Sequence, residues 1–261
     1  MKVRMYNVGF GDCFCLRDRK KSLLVDFGTN NSRIEGRPRR EIFDVIISDL
    51  STIKSKNLLL THFHMDHLSG LLYMMKKKDI SVDFGKIYLP DVFSKKEMSR
   101  TLVLLLLADL LKESGLPSRQ VSLFALVDAL LENKQNVELL SRGKLFENKY
   151  QALWPDTDVI RKETDEVYNR ICEDGKFKEV MDVLLEFAEK LRLIVWSMTA
   201  EGNKPAETVE KETDLTASEL TEQPEVRQKI IRAYVYEREF RRIKALPDFK
   251  KLLAWLNENQ I

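Results

Sequence analysis

Apolar and polar positions alternate with period two near the start of the chain. Further along they recur at three- and four-residue spacings, so strands give way to helices. Residues 2–8 read as a strand, Gly9-Phe10-Gly11-Asp12 as a turn, and residues 13–16 and 22–25 as two more strands. Residues 39–52 place Ile42, Val45, Ile46 and Leu50 on one helical face. Leu58-Leu59-Leu60 reads as a short buried strand, residues 68–78 as a helix, and residues 86–89 as a strand ended by Pro90. Residues 95–115 and 119–133 read as a helical hairpin, broken by Gly115 and Pro117. Phe177, Val180, Leu184, Phe187, Leu191 and Ile194 then keep helical spacing. Residues 200–225 are polar and acidic and hold Gly202, Pro205 and Pro224, which predicts a loop. Residues 226–244 and 247–257 read as two last helices, the second with Pro247 in its first turn. The pattern predicts an α/β domain over residues 1–155, with a helical hairpin at about 95–133, and a helical region over residues 156–261.

Composition narrows the class. The chain has 261 residues, 44% of them hydrophobic and 32% charged, enough for a packed core and against wholesale disorder. A net charge of +2 is too near neutral to imply nucleic acid by itself. Cys13, Cys15 and Cys172 are odd in number and lack Cys-x-x-Cys spacing, which favours a reducing compartment over a disulfide framework. The opening residues lack the apolar core of a signal peptide. The longest apolar run, from Leu102 to Ala108, is far short of the ~20 residues that span a bilayer. The expectation is a cytoplasmic protein without a membrane partner.

The chemistry concentrates in Thr61-His62-Phe63-His64-Met65-Asp66-His67-Leu68-Ser69-Gly70, which holds all three histidines of the chain. In an extended segment His62 and His64 point the same way and can reach one metal ion. Asp66 and His67 follow where the chain turns into a helix and can face a second ion. Imidazole with carboxylate suits zinc, manganese or iron better than calcium.

This run resembles the His-x-His-x-Asp-His signature of the metallo-β-lactamase superfamily, with Thr61 before it and Leu68-Ser69-Gly70 after it. Leu23-Leu24-Val25-Asp26-Phe27-Gly28-Thr29 is similar to the superfamily's first motif, whose aspartate supports the metal loop; Asp26 matches it. Asn7-Val8-Gly9-Phe10-Gly11-Asp12 resembles the opening of the DNA-uptake (competence) branch, and Tyr150-Gln151-Ala152-Leu153-Trp154-Pro155 resembles a strand ending of that branch. The resemblance implies an αββα sandwich of which this chain carries the N-terminal half, with a helical insertion and a helical C-terminal region. It implies up to two ions, zinc foremost, held by His62, His64, Asp66 and His67. Asp66 would also act in catalysis by orienting the attacking hydroxide. It further implies a metallo-hydrolase acting on a small molecule or a nucleic-acid phosphodiester.

The resemblance stops after Pro155. No histidine follows His67, and no Gly-Asp pair follows Gly11-Asp12. Three explanations stand together: a fragment of a longer enzyme, a catalytically incomplete relative acting as a partner-binding module, or a site completed by another chain or by a dimer. In each, four candidate ligands serve two ions poorly, so little activity is expected from this chain alone. The remaining candidates have plainer roles. Asp12 reads as a turn residue, Cys13 and Cys15 as core, and Asp156 and Asp158 as capping or turn residues. Lys76-Lys77-Lys78 reads as a solvated helix end, with Arg37, Arg39 and Arg40 slightly favouring phosphate. Arg238, Arg241 and Arg242 read as an exposed helical face.

Overall fold

The computed structural model of the chain describes residues 1–18, 21–77, 83–113, 123–133, 135–173, 175–200 and 239–259. They divide into two compact units. One holds Met1–Asp91, Ala108–Glu113 and the described residues from there to Asp156; the other holds Val92–Leu107 and the described residues from Thr157 onward. The sequence reading put residues 92–107 with the first domain. Here they group with the later helices.

The first unit is built on six strands in the order β1-β2-β3-β6-β7-β8. β1 (Lys2–Met5), β2 (Phe14–Asp18) and β3 (Lys21–Val25) are antiparallel. β6 (Ser55–Leu59), β7 (Ile87–Pro90) and β8 (Val137–Leu140) extend the sheet in parallel. A small hairpin of β4 (Arg33–Ile34) and β5 (Arg37–Pro38) precedes helix α1 (Arg39–Ser51), and α2 (Met65–Lys76) links β6 to β7. Parallel crossovers are right-handed, and two taken in the same direction lay α1 and α2 on one face of the sheet. The two helices meet through Phe43 and Tyr73, 5.6 Å apart, and through Asp44, which accepts from Tyr73 Oη (2.9 Å) and Lys77 Nζ (2.6 Å).

The register fixes which side chains share a face. Cys15, Leu24, Leu58, Ile87 and Val137 form one cross-strand row, and every one is buried. Each large apolar member contributes about 1.5–3 kcal/mol of burial. The neighbouring row, Met5, Phe14, Val25, Leu59 and Tyr88, lies on the opposite face. There β9 (Leu145–Phe146) and β10 (Tyr150–Gln151) cover part of the sheet, packing Phe146 and Ala152 against Leu23, Tyr88 and Leu140. Val3, Met5, Leu145 and Leu153 remain exposed. Helix α3 (Ser99–Glu113) and α4 (Leu123–Glu132) lie between β7 and β8 in the chain, and buried Asp109 accepts the Phe124 amide at 3.0 Å, tying α3 to the start of α4.

The second unit is helical. After a 3₁₀ turn (Lys96–Met98) and the first part of α3 come α5 (Thr157–Cys172), α6 (Lys178–Ser197), α7 (Glu239–Ala245) and α8 (Phe249–Glu258). The spacing read from Phe177 to Ile194 is the buried stripe of α6. Polar ties within this unit include Arg100 with Asp165 at 2.9 Å, Thr101 with Thr164 at 2.9 Å, and Ser99 with Glu189. The predicted loop from residue 201 on, most of the predicted helix over 226–244, and Arg238 lie outside the described residues. Arg241 and Arg242 are exposed on α7. Among the described residues no strand follows Gln151, and no helix is long and apolar enough to cross a membrane.

Candidate metal centre

β3 and β6 end side by side, and the site grows from their ends. Asp26 follows β3 with φ of 53°, a left-handed conformation that Asp tolerates better than most residues. Its amide donates to Leu59 O at 2.8 Å, holding the turn against the end of β6. The side chain is 4% exposed and lies under the histidine loop. Oδ1 accepts the Thr61 amide at 2.8 Å, and Oδ2 accepts the Thr61 hydroxyl at 2.7 Å. His67 Nδ1 is 3.0 Å from the same Oδ2.

These bonds select the tautomers of two rings. A buried carboxylate beside His67 Nδ1 makes that nitrogen the N–H donor and leaves Nε2 with its lone pair. The Thr61 hydroxyl has one proton and gives it to Asp26. Its oxygen can therefore only accept from His62 Nδ1, 2.9 Å away, which leaves His62 Nε2 free as well. One aspartate thus prepares both imidazoles as ligands, one directly and one through Thr61.

The motif converges. The ligand atoms of His62, Asp66 and His67 lie within 4.8 Å of one another. The His62 and His67 rings are 3.7 Å apart, and His64 stands edge-on to His62 at 4.7 Å. The sequence reading paired His62 with His64 and Asp66 with His67. The geometry also groups His62 with Asp66 and His67: α2 starts at Met65, three residues before the predicted start, and its first turn carries Asp66 and His67 back toward His62. His64 is the residue preceding that helix.

Burial and the neighbouring His67 and His64 hold the His62 imidazole below its ordinary pKa, so it stays neutral and able to coordinate. Burial also disfavours charge on His67, but the hydrogen bond and charge of Asp26, helped by Asp66 and Asp12, outweigh it and raise its pKa. Two imidazole nitrogens and a carboxylate oxygen, with the opposite ring nitrogens already satisfied, fit a tetrahedral transition-metal site that keeps a position open.

A second strand of the chain clamps this loop. The Asp12 amide donates to Asp66 O at 3.2 Å, the Phe27 amide to His67 O at 2.7 Å, and the Gly28 amide to Asp12 O at 3.3 Å. Glycine is required at this crossing. A Cβ on Gly28 would stand 2.7 Å from Asp66 O and 2.6 Å from Leu68 N, and one on Gly11 would stand 2.3 Å from Gly28 O. Ser69 Oγ accepts the Thr29 amide at 2.8 Å and donates to Thr29 O at 3.0 Å, pinning α2 to the loop after β3.

Asp12, which the sequence suggests only as a turn residue, has its carboxylate 3.7 Å from His67 Nδ1 and forms a second close group with Asp26 and His67. The signal for it was present: an aspartate directly after a glycine that permits close approach. Asp156 pairs with Arg142 at 2.9 Å and Asp158 lies 3.8 Å from Arg161; neither joins a metal-capable group among the described residues. Lys77 is tied to Asp44, Cys13 and Cys15 are buried free thiols, and burial raises the pKa of the Cys13 thiol, which suits core packing.

The aspartate-bearing turn, the histidine loop and the strand that follows α2 all fall inside one recognised segment. Residues 6–91 match the metallo-beta-lactamase superfamily model. Over 77 residues the chain is 32% identical to the Endoribonuclease YSH1 of Mycosarcoma maydis, a stretch that is 30% of this chain and 8% of that protein. The chain thus matches only a small part of that relative's length. No solved structure matches. The mixed sheet with its helices is consistent with a metallo-β-lactamase-type fold, and the two matches support a metal-dependent hydrolase family for this segment. Members of the superfamily bind metal ions, and the His/Asp groups described above are the candidates here.

Proposed function

We propose that the first unit carries the metal site of a metallo-hydrolase that cleaves phosphodiesters, nucleic acid among them. The observation that carries the reading is the convergence of His62, Asp66 and His67, with both imidazoles set by Asp26. His64, beside His62, completes the ligand set. Zinc fits the donors best, and manganese or iron is compatible with them. A bound ion would acidify a water molecule and stabilise charge developing on a phosphoryl oxygen. This chain's own residues supply the rest. Asp26 and Thr61 hold the rings, and Asp66 offers a carboxylate beside the open position, where it can orient the attacking water. The likeness to a protein named an endoribonuclease favours a phosphodiester substrate over other hydrolysable bonds. A cytoplasmic location and the competence branch remain part of this proposal, on the strength of the free thiols and the Asn7–Asp12 run.

The two metal-capable groups among the described residues share His67, so they are not two independent sets of three ligands. That favours a single well-held ion in this chain and low turnover by the chain alone. The same shortage favours a second reading, a catalytically incomplete protein that binds a partner. The test is elemental analysis of purified protein, then turnover of a phosphodiester by the metal-loaded form. The proposal expects about one ion per chain, lost on changing both His62 and His64 to Ala. Metal content unchanged in that double variant would overturn the ligand assignment.

A further inference from the structure

Phe10 stands out on the rim of the site. It is 75% exposed, although it sits on one of the most tightly held turns of the first unit. Its amide donates to Asn31 Oδ1 at 2.7 Å, and its carbonyl accepts the Asn30 amide at 2.8 Å and the Thr29 hydroxyl at 3.1 Å. On one side is Gly9, whose missing Cβ would stand 3.2 Å from Asn31 Oδ1 and 3.3 Å from Ile34. On the other is Gly11, closed against Gly28 and Asp66. With its amide and carbonyl both bonded to residues 29–31, the backbone is held while the ring is presented to solvent.

Its position matters as much as its exposure. Two residues on, Asp12 donates its amide to Asp66 O and brings its carboxylate to 3.7 Å from His67 Nδ1. Two residues span at most about 7 Å of chain, so the Phe10 backbone lies within one such step of a residue that touches the ligand loop. The β4–β5 hairpin abuts the same turn through Ile34 and through Glu35, which accepts from Asn7 at 2.7 Å, and it carries Arg33 and Arg37 exposed. A planar apolar ring and two exposed arginines, one of which, Arg37, pairs with Glu41, thus lie on loops joined to the turn that carries Asp12. A lone exposed apolar side chain is common. One whose backbone is fixed by three hydrogen bonds near a candidate metal site is preorganised to meet a ligand.

From this arrangement we propose that Phe10 is a stacking platform for an unpaired nucleobase, next to the phosphodiester that the metal site engages. This rests on the phosphodiester reading of that site and names its substrate as single-stranded nucleic acid. Every base has a π-face, and an aromatic side chain accepts it with little regard to sequence. Removing one such platform typically weakens binding roughly five- to hundredfold.

The test is fluorescence anisotropy with the metal-loaded full chain and two labelled single-stranded DNA probes of about twelve nucleotides, one with bases and one abasic throughout. The wild-type protein is expected to prefer the base-bearing probe by about tenfold or more. Phe10→Ala and Phe10→Leu should collapse that preference toward unity, since leucine keeps apolar bulk but has no π-face. Phe10→Trp should retain it. Circular dichroism melts of each variant check the fold, which an exposed side chain should leave intact. No base preference in the wild type, or a preference untouched in Phe10→Ala, overturns the proposal. Hydrolysis of a phosphodiester without any Phe10-dependent base preference would sink the stacking platform and leave the hydrolase reading standing. A Phe10-dependent preference without turnover would support the platform and favour the catalytically incomplete reading of the metal site.

Discussion

Replacing Asp26 with Asn tests the centre of the structural argument. Asparagine has the same shape and tolerates the left-handed backbone that Asp26 adopts, so the substitution changes chemistry rather than geometry. The wild-type carboxylate accepts three hydrogen bonds, from the Thr61 amide, the Thr61 hydroxyl and His67 Nδ1, and is buried. An amide has one accepting oxygen and two donating hydrogens. In either flip, at least one native N–H or O–H donor faces an NH₂ group. If the oxygen faces Thr61 N–H, the NH₂ confronts the Thr61 hydroxyl and His67 Nδ1. The hydroxyl can turn and accept, but His67 must then lose its Nδ1 proton to make a bond, which moves the remaining proton to Nε2, the atom that would bind metal. Losing a charge-assisted bond to a buried partner costs about 1.5–3 kcal/mol. Thr61 is exposed and can recover water, so its contribution is no more than about 1 kcal/mol. The expected destabilisation is therefore about 2–4 kcal/mol by urea denaturation of the metal-free protein. The ligand tautomer is also lost, so metal affinity should fall about ten- to hundredfold in competition with a chromophoric chelator. The discriminating result is the pairing of the two. An Asp26→Asn protein that loses stability but binds metal within about threefold of wild type would show that Asp26 braces the fold without preparing the ligands, and the tautomer argument would fail.

Three other outcomes follow from the same structure. Gly28→Ala should destabilise the first unit by about 2 kcal/mol or more in a thermal melt and weaken metal binding, because its Cβ meets backbone on Asp66 and Leu68 that cannot swing aside; an unshifted Tm would contradict the close crossing. Leu24→Ala, in the middle of the buried cross-strand row, should cost about 2–5 kcal/mol in urea, whereas Met5→Ala on the open face should cost under about 1 kcal/mol; equal losses would mean the two faces are misassigned. In the second unit, Lys190 at 2.8 Å, opposed in part by burial and helped by Arg242, lowers the pKa of Glu186. A depressed carboxylate pKa gives stability that is present above the unfolded value of about 4.3 and lost as pH falls through the folded value. Glu186 is half exposed, so the effect is a few tenths of a kcal/mol; Glu186→Gln should lower Tm slightly at pH 7 and not at pH 2.5, and a deficit that persists in acid would point to packing instead.

Much of the first unit was legible in the residues because local patterns and tertiary needs agree there. The apolar run at Leu58 and the helical stripe of α6 are set by burial, which leaves a readable trace; in α1 the buried stripe is Phe43, Ile46, Ile47 and Leu50, and Val45 of the predicted face is exposed. The density of His62, His64, Asp66 and His67 announced metal chemistry on its own, since few other uses gather every histidine of a chain into one loop. Elements too short to show a period left little trace. β4, β5, β9 and β10 are two-residue ladders held by partners across the chain, such as Glu147, whose carboxylate takes Tyr88 Oη at 2.7 Å. α5 has only Tyr168 and Ile171 buried, so it offered no broad apolar stripe to read.

Tertiary structure alone decided how the ligands are shared. Sequence spacing suggested two pairs, but the start of α2 at Met65 and the parallel pairing of β3 with β6 bring His62, Asp66 and His67 together. Only in three dimensions does Asp12, 55 positions from His67 by number, stand beside it, and only there does Thr61 link Asp26 to His62. A sequence records which donors a chain owns. Which lone pairs face one another depends on strand register and helix start, and these are set by the packing of the whole sheet.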